Sequence, residues 1–198
     1  MEGLALAYVT CDKYSHVWDE WYDQFYKLWD LEFHKYFLGE QDICPFLDFE
    51  QIYHDRVDAD KWTTKLRAQI EDIPEENIFI WLDDLIPQKN ISKQFTALYR
   101  WFMDNDADAL RIMGRGSASR YIYRDMVWDS PIYQLKKGSP YLVSFSPNIW
   151  KKSFLLEVLQ WDESPWSAEL QGSRRIKDWN RKIYAHHIDG WYINKIVQ

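Results

Sequence analysis

The sequence is poor in cysteine, glycine, proline and positive charge, and it has no long apolar run. Two cysteines, Cys11 and Cys44, stand in 198 residues, too few for a disulfide scaffold and without the spacing of a metal site. Seven glycines and seven prolines form no linker or low-complexity tract. The longest apolar stretches fall far short of the roughly 20 residues that span a bilayer. The start, Met1 to Ala7, lacks the basic and apolar regions of a signal peptide, so a soluble, cytoplasmic protein is expected. Lys and Arg number 24 against 31 Asp and Glu, a net charge of −7. That balance argues against nucleic acid, whose phosphates are bound mainly by Lys and Arg. A phosphorylated ligand would need a metal or a local basic patch to offset the field. No G-x-x-x-x-G-K-[ST] occurs, which excludes the P-loop class.

Aromatics are abundant: Trp 12, Tyr 13 and Phe 10, or 18% of the chain. They supply buried area, and Trp and Tyr also supply flat faces for bases and sugar rings. The 46% hydrophobic and 28% charged content is that of a folded protein. A chain of this length buries roughly 70% of its unfolded surface, and one domain over residues 1–198 is expected.

Periodicity gives alternating strands and helices. Leu4–Thr10 reads as a strand. Trp18, Trp21, Tyr22, Phe25, Leu28 and Trp29 mark one face of a helix, with Ser15 as its N-cap. A strand at His34–Gly39, a helix at Asp58–Ile70 and a continuous apolar strand at Asn77–Leu82 follow, the last in the pattern of a parallel sheet. Ile91–Met103 reads as a helix and Ala109–Met113 as a strand. Beyond Ser117 the expectations are strands at Pro131–Leu135 and Tyr141–Phe145 and helices at Trp150–Leu159 and Ser164 to about Asp178. A hairpin of Lys182–His187 and Trp191–Val197 closes the chain about Asp189-Gly190. The fold class is α/β with a mainly parallel central sheet.

Asp83-Asp84, at the end of the apolar strand, is the leading candidate site. Ligands of open α/β sheets bind outside the carboxyl ends of strands, and paired carboxylates there suit a hard divalent cation and its diphosphate. A solvated turn before Pro87 is the competing reading. Asp104, Asp106 and Asp108 imitate an EF-hand start, but Ala109 replaces the turn glycine and Arg115 the final Glu. Gly114-Arg115-Gly116 resembles part of a dinucleotide fingerprint, yet Ser119 takes the place of its third glycine. Arg111, Arg115, Arg120 and Arg124 could meet an anion, or form a solvated basic loop. Ser164-Pro165 starts a helix that sets Glu169 one turn from Trp166. A carboxylate beside an indole can deprotonate a sugar hydroxyl while the ring stacks on the sugar; a surface Glu with a core Trp is the plainer alternative.

Taken in order, four segments resemble small GT-A-type, nucleotide-sugar-dependent glycosyltransferases of bacteria and large viruses. They are Tyr8-Val9-Thr10-Cys11-Asp12-Lys13-Tyr14, Ile80-Trp81-Leu82-Asp83-Asp84, Phe145-Ser146-Pro147-Asn148-Ile149-Trp150, and Ser164-Pro165-Trp166 with Glu169 and Gly172-Ser173. The resemblance runs from about residue 4 to 196 and implies a single-domain, Rossmann-like GT-A fold. It implies that Thr10, Asp12, Tyr14 and Asp83 bind the nucleotide sugar, with UDP favoured because Asp12 can accept from a uracil N3–H. Asp84 becomes the metal ligand of a D-x-D-type motif whose first acidic place holds Leu82. His186 or His187 would complete a Mn²⁺ or Mg²⁺ shell. Glu169 would be the base of an inverting transfer to a carbohydrate or other hydroxyl acceptor, with Trp166 stacking on a sugar. Trp161 and Trp191 are further stacking candidates. A non-catalytic nucleotide-sugar-binding module and an oxidoreductase using Gly114 and Gly116 are the alternatives.

Overall fold

The computed structural model describes residues 1–113 and 121–195. Among the described residues, nine strands form one sheet in the order β3-β2-β1-β4-β9-β6-β10-β8-β7. They are β1 (Leu4–Val9), β2 (His34–Leu38), β3 (Glu50–Gln51), β4 (Asn77–Leu82), β6 (Ala109–Met113), β7 (Tyr121–Val127), β8 (Ser130–Leu135), β9 (Asn148–Lys151) and β10 (Ile183–His187). β1 lies parallel to β2 and β4, and β6 to β10, whereas β9 and β8 run against their neighbours. The two remaining strands, β5 (Leu85–Pro87) and β11 (Tyr192–Asn194), pair as a separate antiparallel ribbon.

Helices cover both faces. α1 (Trp18–Leu28) and α3 (Ser92–Asp104) pack on one, and α2 (Trp62–Asp72), α4 (Lys152–Val158) and α5 (Pro165–Ile176) on the other. All six residues of β1 and the first five of β4 are buried. That is why those strands read as apolar runs instead of alternating ones. Trp21, Trp29, Trp81 and Trp191 form an edge-to-face cluster under α1, with successive ring centroids 5.0–5.4 Å apart. Burying such a ring withdraws about 150–250 Å², roughly 4–6 kcal/mol as an upper bound. That exceeds the roughly 1–3 kcal/mol cost of a buried unpaired N–H, which Trp21, Trp29 and Trp191 carry among the described residues.

Several sequence expectations change. Ser15 is no N-cap: it lies in a 3-10 turn, Asp12–Val17, and α1 starts at Trp18 without a side-chain cap. The indole of Trp18 is instead tied to Thr10, so a tertiary bond fixes where the helix begins. Tyr141–Phe145 is not a strand. Tyr141 has φ +56°, and the segment's backbone groups go to Arg111, Ser173 and Glu169; the strand comes later, as β9. The terminal hairpin does not form, because β10 inserts between β6 and β8 while Gly190, at φ +62°, turns the chain toward β5. Ser164 does cap α5, its Oγ accepting the Ser167 N–H at 3.2 Å with Pro165 at the first helical position. No helix among the described residues is long and apolar enough to cross a membrane. Gly114-Arg115-Gly116 and Arg120 lie outside the described residues.

Candidate functional site

The parallel register that pairs Val9 with Leu82 sets the next residues, Thr10 and Asp83, side by side at the carboxyl edge of β1 and β4. Thr10 Oγ1 donates to Asp83 Oδ2 at 2.5 Å and accepts from Trp18 Nε1 at 2.7 Å. The backbone N–H groups of Cys11 and Asp84 also favour the charged form of the Asp83 carboxylate. Burial nevertheless pushes the Asp83 carboxyl up to about 7, with the neighbouring Asp84 charge adding to the rise and these donors opposing it. Burial also raises Asp84, against a hydrogen bond from Asn194 Nδ2 at 3.0 Å. The β5–β11 ribbon thus closes on Asp84, whose backbone oxygen accepts the Lys195 N–H. Asp84 Oδ1 is buried with no partner among the described residues. Tyr14 sits close by: its hydroxyl is raised by partial burial, then by Cys11, Asp83 and Asp84.

Asp12 is engaged with the end of β2. Its carboxylate accepts the N–H groups of Gln41 and Asp42 at 3.3 and 3.2 Å, while its own N–H donates to Glu40 Oε2 at 3.2 Å. Behind this loop pair lies a buried ion pair that the sequence reading missed. Lys65 Nζ of α2 meets Glu40 Oε1 at 3.0 Å and the Thr10 carbonyl at 3.4 Å. Two signals were available: Glu40 follows a strand end as Asp83 does, and Lys65 stands directly before Leu66 on the buried face of α2.

Glu169 reaches the same edge because β9 runs antiparallel. Asn148, its first residue, lies opposite Ile80 of β4 and Arg111 of β6, so residues 141–147 arrive at the carboxyl edge. There the Phe145 N–H donates to Glu169 Oε1 at 2.7 Å, and Ser173 Oγ ties the Glu169 carbonyl to the Val143 N–H. The Phe145 ring meets Trp62 edge-on at 4.9 Å. Trp166, one turn before Glu169, is 72% exposed, and Trp161 is exposed with the Arg67 guanidinium 5.5 Å from its ring centre. Trp191 is fully buried in the core, so it is no stacking surface.

His186 lies apart from this arrangement. It is buried in β10 with Nε2 3.0 Å from Gln94 Nε2 of α3, and burial takes its imidazole down to about 4. No group of three His, Cys, Asp or Glu side chains with metal-holding geometry occurs among the described residues. His186 therefore does not join the two aspartates in a preformed shell. The donor set at Asp83 and Asp84 still fits a hard cation in part: a buried carboxylate beside a half-buried one, whose Oδ1 is enclosed without a partner among the described residues. Mg²⁺ and Mn²⁺ are commonly held by one or two carboxylates, with substrate phosphates and water completing the shell. Asp106 and Asp108 instead take Lys151, Lys182 and Arg181 as partners. Two clefts, of about 580 and 590 Å³, open around Asn77 and Lys151 and around Gly3 and Glu75. Both lie at the opposite, amino edge of β4 and β1, away from the strand ends where ligands of such sheets bind.

No known protein-family profile matches the sequence, and no curated protein matches it. Solved structures do match. S. aureus TarS 1–349 superposes with a TM-score of 0.61 at 12% identity, covering 96% of this chain and 59% of that one. Its complex with UDP-GlcNAc gives 0.57 at 13%, covering 96% and 56%. UDP-glucose pyrophosphorylase complexed with UDP-glucose gives 0.56 at 9%, covering 96% of this chain and 91% of that chain. This chain therefore spans less than two thirds of the TarS chains it matches, and identities this low speak to fold. The superpositions and the strand order together establish that the chain has a GT-A-like α/β fold, shared with proteins solved in complex with UDP-sugars.

Proposed function

We propose that this chain is a glycosyltransferase that moves a sugar from a nucleotide-diphosphate sugar, UDP-linked by preference, to a hydroxyl acceptor. One observation carries the reading. The reversed strand β9 brings the segment that holds Glu169 to the same sheet edge as Asp83 and Asp84, so a candidate base and a candidate diphosphate site lie at one end of the sheet. Fold-mates solved with UDP-GlcNAc and UDP-glucose support the donor class.

Thr10, Asp12 and Tyr14 would line the nucleoside side, with Lys65 and Glu40 holding the two loops that shape it. Asp84, supported by Asp83, would hold a divalent cation, which when bound would neutralise the leaving diphosphate. That assignment answers the −7 net charge, since the protein need not supply the positive counter-charge itself. Glu169 would take the proton of the acceptor hydroxyl. With Oε1 fixed by the Phe145 N–H, its other oxygen remains to accept that proton; the acceptor oxygen then bonds to the anomeric carbon on the face opposite the diphosphate, whose bond to that carbon breaks and which leaves as the nucleoside diphosphate, so the centre inverts. Trp166 offers the exposed ring on which an acceptor sugar stacks.

A second reading, binding of the nucleotide sugar without transfer, is favoured by the same Phe145–Glu169 bond, because that carboxylate already has a structural partner. A thermal-shift screen of UDP-, GDP- and dTDP-sugars with and without Mn²⁺, followed by donor hydrolysis on the best binder, separates the two. Mn²⁺-dependent stabilisation with slow hydrolysis supports transfer. Stabilisation without any hydrolysis supports the binding module, and no stabilisation by any nucleotide sugar refutes both.

A further inference from the structure

α5 is joined to residues 143–145 at two points, one turn apart on the helix. Glu169 Oε1 accepts the Phe145 N–H at 2.7 Å. Ser173 Oγ accepts the Val143 N–H at 3.0 Å and donates to the Glu169 carbonyl at 2.6 Å. Four residues of helix advance about 6 Å, and two residues of extended chain advance about 6.6 Å. Glu169 and Ser173 are therefore spaced to receive the alternate N–H groups of residues 143 and 145. Ser173 also holds the backbone of the residue whose side chain makes the other bond.

The approach is close because position 172 is glycine. A Cβ there would stand 3.2 Å from Val143 Cγ2, so any larger residue presses on the segment. Val143, Phe145 and Ser173 are all buried. A serine in a helix commonly bonds its own i−4 carbonyl, a local habit that holds nothing remote. Here the same oxygen also takes an N–H from 30 residues away. Its one hydrogen then goes to the Glu169 carbonyl at 2.6 Å, since the Val143 carbonyl lies at 3.5 Å. The segment itself is tied to the sheet. Arg111 Nη2 of β6 donates to the carbonyls of Tyr141 and Leu142 at 2.6 and 3.3 Å, and Asn148 Nδ2 of β9 donates to that of Ser144 at 3.3 Å. Ser173 is thus the group that registers α5 against a fixed stretch of chain.

We propose that Ser173 is a positioning residue for Glu169: its hydroxyl locks α5 onto residues 143–145 in the register that puts the Phe145 N–H on one carboxylate oxygen and leaves the other to take a proton. This rests on the glycosyltransferase reading, in which Glu169 is the base. A base must come within about 2.6–3.2 Å of the proton it removes, and a misplacement of about 1 Å costs about 10²-fold in rate. The test follows UDP release from UDP-GlcNAc and from UDP-glucose with Mn²⁺, water being the acceptor, in the full chain and in S173A, S173T, E169Q and S173A/E169Q. S173A should lower kcat roughly 10- to 100-fold while the donor KM stays within about twofold of the parent's. S173T keeps the hydroxyl and should recover most of the loss. In the E169Q background S173A should change the rate by less than about threefold, because the group it positions is gone. A purely structural serine would cost the same factor in both backgrounds.

S173A leaves the buried Val143 N–H unpartnered and is expected to melt a few degrees below the parent, so the rates are taken well below both melting temperatures. If S173A does not fold, G172A reads the same contact: it keeps the hydroxyl and gains helix propensity while its Cβ presses on Val143. It should lower kcat at least about threefold in the parent and not in E169Q. S173A, or G172A in its place, at the parent's kcat overturns the positioning role and leaves the base reading standing. The same loss with and without Glu169, or S173T as slow as S173A at the parent's melting temperature, does so too. No UDP release by the parent, or release that E169Q leaves unchanged, removes the base reading, and the role of Ser173 falls with it.

Discussion

Lys65→Met probes the buried pair that joins α2 to the two loops of the candidate nucleotide pocket. Lys65 is 1% exposed and Glu40 6%, and their charged atoms are 3.0 Å apart. At an effective dielectric of about 20, that separation corresponds to an attraction of about 5.5 kcal/mol. Met replaces the aliphatic stem of Lys65 but leaves the Glu40 carboxylate buried, with the Asp12 N–H as its remaining partner among the described residues. Removing one member of a buried pair costs about 3–5 kcal/mol, mainly from the charge left behind. Removing both charges together is far milder, because Gln at position 40 still accepts the Asp12 N–H and no ion stays in the low-dielectric interior. The double variant E40Q/K65M should therefore cost at least about 2 kcal/mol less than the sum of K65M and E40Q. Urea unfolding at neutral pH measures all three, with an unchanged m-value as the check that the unfolded state is the same. Additivity within about 0.5 kcal/mol, or a K65M cost below about 1 kcal/mol, would refute the reasoning. K65M should also weaken UDP binding, since Lys65 holds the Thr10 carbonyl and, through Glu40, the Asp12 N–H.

Asp83 makes stability pH-dependent. Its carboxyl is raised from the ordinary 3.8 to about 7, so the folded chain binds that proton more tightly. The associated stability is complete below about pH 4 and is lost as pH rises toward 7. In EDTA, Asp83→Asn should gain on the parent by about 3 kcal/mol between pH 4.5 and 8, read from urea unfolding, and a constant difference across that window would refute the shift. Glu169→Gln should lower transfer by about 10²- to 10⁴-fold while keeping the UDP-induced thermal shift, since the amide oxygen still accepts the Phe145 N–H; unchanged turnover removes Glu169 from the base role. Asp84→Ala should abolish the Mn²⁺ enhancement of donor affinity measured by calorimetry. Equal affinity with and without Mn²⁺ in the parent would sink the metal assignment.

The sequence by itself determined which segments are buried, and with them the fold class. Leu4–Thr10 reads as a strand and Asn77–Leu82 as an inner parallel one because the latter is apolar on both faces, and the stripes at Trp18–Trp29 and Ile91–Met103 read as helices for the same solvent-driven reason. Asp83 was legible because a polar pair ends an apolar strand, a local signal. Contacts between remote segments decided the rest. Antiparallel insertion of β9 carries Phe145 and Glu169 to the edge that holds Asp83, and a strand's direction is set by its neighbours, not by its own four residues. The Asp189-Gly190 turn is real, yet whether it closes a hairpin depended on the space between β6 and β8, which β10 fills. Trp191 and Trp166 are the same residue type in similarly polar surroundings, but one is enclosed by Trp29 and Trp81 and the other stands in solvent. Lys65 and Glu40 are 25 residues apart and become a pair because parallel strands bring their carboxyl ends, and the helix that follows, to one edge.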